Sequence, residues 1–438
     1  MSKPLVAVVG RSNVGKSTFF NRICGRRISI VKDTPGVTRD RIYADAEWCG
    51  KHFTLVDTGG IETDDIDFLT EIRRQAEVAI DLADVIVFMV DGKAGLLASD
   101  REVASLLRSA KKPVVLAVNK LDNNETDNLY DFYELALGEP FPISCEQALG
   151  LGDLLDEIVR DLPDGDEDGD VGLKIAFVGK PNVGKSSLVN RLLGFERVIV
   201  SDVAGTTRDA IDTPLTYNGM DYTLIDTAGM RRKRGIEDES VERYGVLRAM
   251  AAIARADIVM IVFDASQEIS EQDVRIAGMV HDEGKPSVIV MNKWDLVEKD
   301  THTVNRYRER LAEQLSFMSY FRAEYVSAVS GQRVERLLSI AEEVYGKASA
   351  RITTGVLNDV IGDAVRTTEP PTHSGRRLKV LYGTQASANP PTFVIFVNDE
   401  TLVHFSYKRY LENCLRRAFD FSGTPIRLKF VGKKEETK

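Results

Sequence analysis

Short apolar runs recur along the chain, and each closes on a polar residue. LVAVVG, FTLVDTGG, DVIVFMVD and PVVLAVNK lead up to Lys120, and KIAFVG, YTLIDTAG, DIVMIVFD and PSVIVMNK follow in the same order from Lys174 to Lys293. Uninterrupted runs of this length, separated by helical patterns, predict central strands of a mostly parallel sheet buried on both faces. Ligands of such sheets bind beyond the carboxyl ends of the strands. The Gly, Asp and Asn residues that close the runs are therefore where chemistry is expected. After Arg351 the pattern becomes helix (VLNDVIGDAVR), strand (RLKVLYG), strand (TFVIFVN), helix (SYKRYLENCLRRAF) and strand (PIRLKFV).

The two sets of runs are copies of one unit. GRSNVGKST from Gly10 and GKPNVGKSS from Gly179 are offset by 169 residues, and the same offset carries Thr38 onto Thr207 and Asp57 onto Asp226. Later landmarks drift: Asn119 matches Asn292 at 173 and Ser144 matches Ser327 at 183, as insertions in surface loops produce. A period this long means two whole α/β domains rather than a solenoid. The expected boundaries are a first domain over 1–160, a linker over 161–173, a second domain over 174–348 and an α+β domain over 349–438. The linker, DLPDGDEDGDVGL, is acidic and glycine-rich, a composition that stays solvated and mobile.

Composition narrows the class. With 438 residues, 43% hydrophobic and 28% charged, the chain has material for two or three globular cores. Its longest apolar runs, such as VIVFMV, are far too short to span a bilayer, and the start, MSKPLVAVVG, reads as a buried strand rather than a signal peptide. Four scattered cysteines and five scattered histidines fit a reducing cytoplasm and no zinc site. The net charge of −10 argues against a generic nucleic-acid coat, but residues from Arg351 onward carry 14 Lys and Arg against 9 Asp and Glu, a net of +5. Interest in polyanions is expected at that end.

Each copy carries G-x-x-x-x-G-K-S, as Gly10 to Ser17 and Gly179 to Ser186. Glycines let consecutive N–H groups turn inward as an anion nest, and the following helix adds its positive end. Lys16 and Lys185 are expected on the β- and γ-phosphates, and Ser17 and Ser186 on Mg²⁺. Asn13, Val14, Gly15 and Thr18, with Asn182, Val183, Gly184 and Ser187, complete the two loops. Asp57 and Asp226 open Asp-x-x-Gly at a strand end, where a carboxylate reaches the same metal and the amides of Gly60 and Gly229 sense the γ-phosphate. Thr38 and Thr207, each in a TRD context, are further Mg²⁺ candidates. Asn119-Lys120-Leu121-Asp122 and Asn292-Lys293-Trp294-Asp295 fix the base: an aspartate accepts both N1–H and the exocyclic amine of guanine, a donor pair adenine lacks. Ser144-Cys145 and Ser327-Ala328 are expected to offer backbone to the guanine oxygen.

Two phosphate loops, two NKxD boxes, an acidic linker and a basic α/β tail, in this order and over essentially the whole chain, resemble the double-Era-like bacterial GTPases of the Der (EngA) family. The resemblance implies two tandem P-loop NTPase folds of the Ras-like type plus a C-terminal KH-like domain. It also implies GTP binding and hydrolysis by a cytoplasmic monomer acting in assembly of the large (50S) ribosomal subunit, with ribosomal RNA met by basic surfaces of the C-terminal domain. Alternatives are a nucleotide-gated scaffold in which one copy barely hydrolyses, and a tRNA-modification GTPase, whose larger scaffold is absent here.

Where many GTPases place a water-orienting glutamine after Asp-x-x-Gly, this chain has Ile61 and Met230, so slow intrinsic turnover is expected. Asn13 and Asn182 either suit a tight loop conformation or help hold K⁺ beside the phosphates; related GTPases favour the cation and potassium stimulation. In the last helix, Tyr407, Tyr410, Leu411, Cys414, Leu415, Ala418 and Phe419 form a core stripe. Lys408, Arg409, Arg416 and Arg417 lie off it as either an RNA-phosphate surface or a solvated face. No GxxG follows Arg351, so RNA contact by the usual KH groove is not expected, and docking against the G domains is the alternative. The cluster Arg231-Arg232-Lys233-Arg234 follows Gly229 in the second copy alone, as a loop that nucleotide state could present or withdraw.

Overall fold

In the computed structural model the described residues are 4–24, 43–57, 73, 76–77, 79–80, 83–110, 112–122, 127–163, 172–195, 198–200, 212–226, 240–370, 372–373 and 376–432. The chain divides into two compact units, Met1–Asp170 and Val171–Lys438.

The first unit is built on a six-stranded sheet. Its strands are β1 (Leu5–Val9), β2 (Tyr43–Trp48), β3 (Lys51–Asp57), β4 (Val85–Asp91), β5 (Val114–Asn119) and β6 (Pro140–Pro142), in the order β2-β3-β1-β4-β5-β6. All neighbours are parallel except the edge pair β2–β3. Strand order reverses around β1, which lies between β3 and β4, so a crevice opens at its carboxyl end. Both faces are covered, which is why β1 and β4 are buried at every position.

The second unit repeats the plan. Its strands are β7 (Leu173–Val178), β8 (Val198–Val200), β9 (Thr213–Tyr217), β10 (Met220–Ile225), β11 (Ile258–Asp264), β12 (Ser287–Asn292) and β13 (Ala323–Tyr325), in the order β13-β12-β11-β7-β10-β9-β8. Alternate residues of β7 feed two separate cores: Ile175 and Phe177 pack on one face, Ala176 and Val178 on the other. The continuous apolar runs are thus explained by a sheet sandwiched between helical layers.

The same unit holds the C-terminal α+β domain. After the two-residue strands β14 (Thr372–His373) and β15 (Arg376–Arg377), strands β16 (Val380–Ser387), β17 (Thr392–Val397) and β18 (Arg427–Gly432) form a sheet, β16–β17 antiparallel and β17–β18 parallel. Helices Thr354–Thr367 and Phe405–Ala418 pack on one face through Leu357, Ile361, Leu411 and Leu415 against Phe393 and Ile395. Two assignments made from the sequence are corrected. Ala418 lies exposed at the helix end. Arg416 is half-buried against the second nucleotide-type domain, its guanidinium 4.7 Å from the Tyr320 ring centre and donating to Thr424 O at 3.0 Å. Its guanidinium faces the neighbouring domain rather than solvent.

Arg416 belongs to a docking seam. Ser287 N–H donates to Gly423 O at 2.8 Å, Gly423 N–H donates to Tyr320 O at 2.7 Å, and Lys347 pairs with Asp420 at 2.8 Å. His281 Nδ1 lies 2.8 Å from Tyr320 Oη, with its ring stacked on Tyr320. Burial holds His281 below its ordinary value, with Arg416 and Arg427 acting the same way and Asp282 and Glu412 opposing. A depressed histidine contributes stability while neutral, and that contribution is lost as pH falls below about 6.5. The unfolding midpoint of the full chain is therefore expected to fall more steeply between pH 7.5 and 5.5 than that of His281→Gln; parallel slopes in calorimetry would contradict this. Among the described residues, no helix is long and apolar enough to cross a membrane.

Candidate functional site

The loops after β1 and β7 cross the mouths of their sheets and enter the helices Lys16–Cys24 and Lys185–Leu193. Gly15 has φ +101°, and a Cβ there would lie 2.2 Å from Asn119 Nδ2; at Gly184 the values are +93° and 2.3 Å from Asn292 Nδ2. Only glycine fits both the left-handed backbone and the close approach. Asn13 and Asn182 are also left-handed, at φ 65° and 63°, a conformation asparagine tolerates better than most residues.

Inside each loop the lysine folds over its own backbone. Lys16 Nζ donates to Gly10 O at 2.6 Å and Arg11 O at 2.8 Å, and Lys185 Nζ to Gly179 O and Lys180 O, both at 2.7 Å. The carbonyls aim the ammonium along the rim of the loop, beside the N-terminus of the helix that follows. Together they form a concentrated positive site for an anion. The loop is tied to the far side of the sheet by an ion pair that is also duplicated: Arg11 to Asp100 at 3.6 Å, and Lys180 to Asp273 at 2.9 Å.

Asn119 and Asn292 close the runs of β5 and β12 and are almost fully buried, at 2% and 1% exposure. Asn119 Nδ2 donates to Val14 O at 2.7 Å while its Oδ1 accepts from Cys145 N–H at 2.9 Å. Asn292 does the same to Val183 O at 2.8 Å and from Ala328 N–H at 3.1 Å. One side chain thus braces the phosphate loop against the Ser-Cys or Ser-Ala segment. The asparagines lie 105 and 109 residues from the loops but 26 and 36 from the Ser-Cys and Ser-Ala segments, and the sheet brings the three pieces together.

Lys120 and Lys293 pair with Asp91 and Asp264, at 2.8 and 2.6 Å. Burial raises the carboxyl of Asp91, but Lys120 and the N–H groups of Ala94 and Lys93 outweigh it and hold it low; Lys293 and Ser266 do this for Asp264. These aspartates close β4 and β11, and the polar end of each apolar run was the clue that marked them. Ser144 Oγ donates to Asp122 at 2.7 Å, and Lys93 pairs with the same carboxylate. Lys93 first, then Ser144, hold Asp122 below the usual carboxylate range. Ser144 Oγ and Ser327 Oγ both accept a backbone N–H three residues on, from Gln147 and Ser330, each at 3.1 Å, whereas Asp295 is exposed. Burial pushes the Cys145 thiol up to about 12, so Cys145 offers backbone and no thiolate.

Ser17 Oγ donates to Asp57 Oδ2 at 2.9 Å, which joins two of the expected metal ligands. In the second copy Asp226 follows β10 in a left-handed conformation, φ 57°, with its N–H donating to Asp212 at 3.0 Å. Sequence reasoning did not single out Asp212, which sits in the approach to β9 and also pairs with Arg255. Thr38, Gly60, Thr207, Gly229, Ile61, Met230 and the Arg231–Arg234 cluster lie outside the described residues.

Residues 5–120 and 174–293 match a family model described as 50S ribosome-binding GTPase, and residues 351–430 match the C-terminal KH-domain-like model of EngA bacterial GTPase enzymes. Proteins called GTPase Der are similar from end to end. That of Clostridium tetani is 56% identical over 99% of this chain and 100% of its own length. Those of Clostridium acetobutylicum and Alkaliphilus metalliredigens are 55% and 54% identical, over 99% and 98% of this chain and 100% and 98% of theirs.

Proposed function

This chain belongs to the Der (EngA) family of GTPases, and on that premise we propose that its two loops form two guanine-nucleotide sites that switch a cytoplasmic monomer on and off the large ribosomal subunit during its assembly. The observation that carries the reading is the duplicated brace, Asn119 on Val14 and Cys145, Asn292 on Val183 and Ala328. Neither copy has lost a part of it, which favours two working sites over a scaffold with one idle copy.

In each site the loop N–H groups and the helix N-terminus receive the phosphates, and Lys16 or Lys185 exchanges its loop carbonyls for phosphate oxygens. Asp122 and Asp295 read the guanine edge. Mg²⁺ suits the hydroxyl and carboxylate oxygens of Ser17 and Asp57, hard donors already in contact, with Ser186 and Asp226 as their counterparts. When bound, it would neutralise phosphate charge. Thr38 and Thr207 complete the set, and Gly60 and Gly229 sense the γ-phosphate. With Ile61 and Met230 in place of glutamine, Asn13 and Asn182 would hold a K⁺ whose charge would offset that of the phosphates.

Ribosomal RNA fits the C-terminal domain in two ways. Lys408, Arg409 and Arg417 remain exposed. The sheet face opposite the helices carries Tyr382 stacked on Phe396 at 4.5 Å, beside Lys429, and aromatic faces with basic neighbours suit single-stranded RNA. The test is co-sedimentation with ribosomal subunits in GDP and in a non-hydrolysable GTP analogue. Enrichment on the large subunit with the analogue alone is expected, with turnover several-fold faster in K⁺ than in Na⁺. No enrichment on the large subunit in either nucleotide would overturn the ribosome reading, equal binding in both would overturn the switch, and equal rates in both salts the potassium reading.

A further inference from the structure

One of the differences between the two sites is the side chain at Lys93 and its counterpart Ser266. After β4 and after β11 the chain makes the same turn: Lys93 N–H donates to Asp91 Oδ1 and Ser266 N–H to Asp264 Oδ1, both at 3.0 Å. The side chains then part. Ser266 turns back to Asp264, at 2.6 Å. Lys93 reaches outward across the mouth of the sheet to Asp122 Oδ2, while Ser144 occupies Oδ1. Among the described residues, no side chain donates to Asp295, the counterpart of Asp122.

We propose that Lys93 is a specificity-determining residue of the first site: its ammonium stands in for the guanine edge on Asp122 and sets a weaker, salt-sensitive nucleotide affinity there than at the second site. The proposal rests on the reading that Asp122 accepts the guanine edge. N1–H and the exocyclic amine need one carboxylate oxygen each. A hydroxyl leaves lone pairs on Oδ1, so Ser144 can stay. The ammonium on Oδ2 brings a full charge to the open side of the carboxylate, and the incoming neutral amine must displace it. Lys93 is 62% exposed, so the pair it gives up is a screened one, worth a factor of about two to five rather than orders of magnitude. Salt weakens such a pair in the empty site and so narrows the difference between the sites.

The test uses the full chain with one site silenced, Lys185→Ala for reading site 1 and Lys16→Ala for reading site 2, and fluorescent GDP as the probe. Lys93→Ser is expected to tighten site 1 about two- to fivefold at low salt, with the gain shrinking as salt rises. The reciprocal Ser266→Lys is expected to weaken site 2 by a similar factor. Asp122→Asn separates the underlying reading: an asparagine amide can donate to the C2 carbonyl of xanthine, so this variant should exchange GDP for xanthosine diphosphate, and in it Lys93→Ser should have no effect on binding. If Asp122→Asn fails to switch bases, the base-reading role falls. If it switches but Lys93→Ser leaves GDP affinity unchanged or weakens it, the role of Lys93 falls alone.

Discussion

Asn292→Ala is expected to abolish nucleotide binding at the second site, with affinity falling at least about 100-fold while the first site stays intact. The side chain is 1% exposed and satisfies two buried backbone groups, Val183 O and Ala328 N–H. Truncation leaves both unpaired, and each orphaned group costs about 1–3 kcal/mol. The loss falls on the loop that must receive the phosphates and the segment that must meet the base, so the ordered site is undone from both ends. Asn119→Ala should do the same to the first site through Val14 and Cys145. Calorimetric titration with GDP would show one binding event in place of two; two events in either variant would refute the brace.

Gly15→Ala is expected to be as severe by a different route. Its φ of +101° is strained for any residue with a Cβ, and that Cβ would meet Asn119 Nδ2 at 2.2 Å. The brace must then move, or the loop must open. Left-handed strain alone costs about 1–2 kcal/mol, and displacing the buried amide adds an unpaired group. GTP turnover from the first site should vanish, while Gly10→Ala in the same loop tests a different contact, with Met89 O at 2.3 Å. Gly184→Ala is the matching change in the second site. A Gly15→Ala chain that still binds two nucleotides would show that the loop can relax around the extra carbon.

The central strands were legible because burial on both faces leaves a continuous apolar run, and the runs end in the structure where their polar residues begin: β4 at Asp91, β5 at Asn119, β12 at Asn292. The phosphate loops were legible for the same local reason, since their glycines and lysine act within eight residues. Longer-range partnerships were not. Arg416 looks solvent-facing on a helical wheel because the wheel knows nothing of Tyr320, which lies on the neighbouring domain and covers it. Lys93 reads as an ordinary turn lysine until the sheet brings Asp122 beside it from 29 residues away. The double duty of Asn119 and Asn292 was likewise hidden. The NKxD pattern points to the base, whereas the buried asparagine serves the loop more than a hundred residues earlier.

Duplication also explains how a family pattern can sit on unequal sites. The scaffold bonds are shared by both copies, but the groups on the NKxD aspartate are not: Ser144 and Lys93 hold Asp122, and among the described residues no side chain donates to Asp295. If Lys93→Ser tightens the first site as expected, the two sites of the intact chain would fill in sequence as nucleotide rises.

Equilibrium titration of the purified full chain with labelled GDP, in Mg²⁺ and K⁺, tests the whole account most directly. Two guanine nucleotides per chain are predicted, falling to one in Lys16→Ala and to one in Lys185→Ala. A single nucleotide per intact chain, or ATP competing as well as GTP, would contradict it.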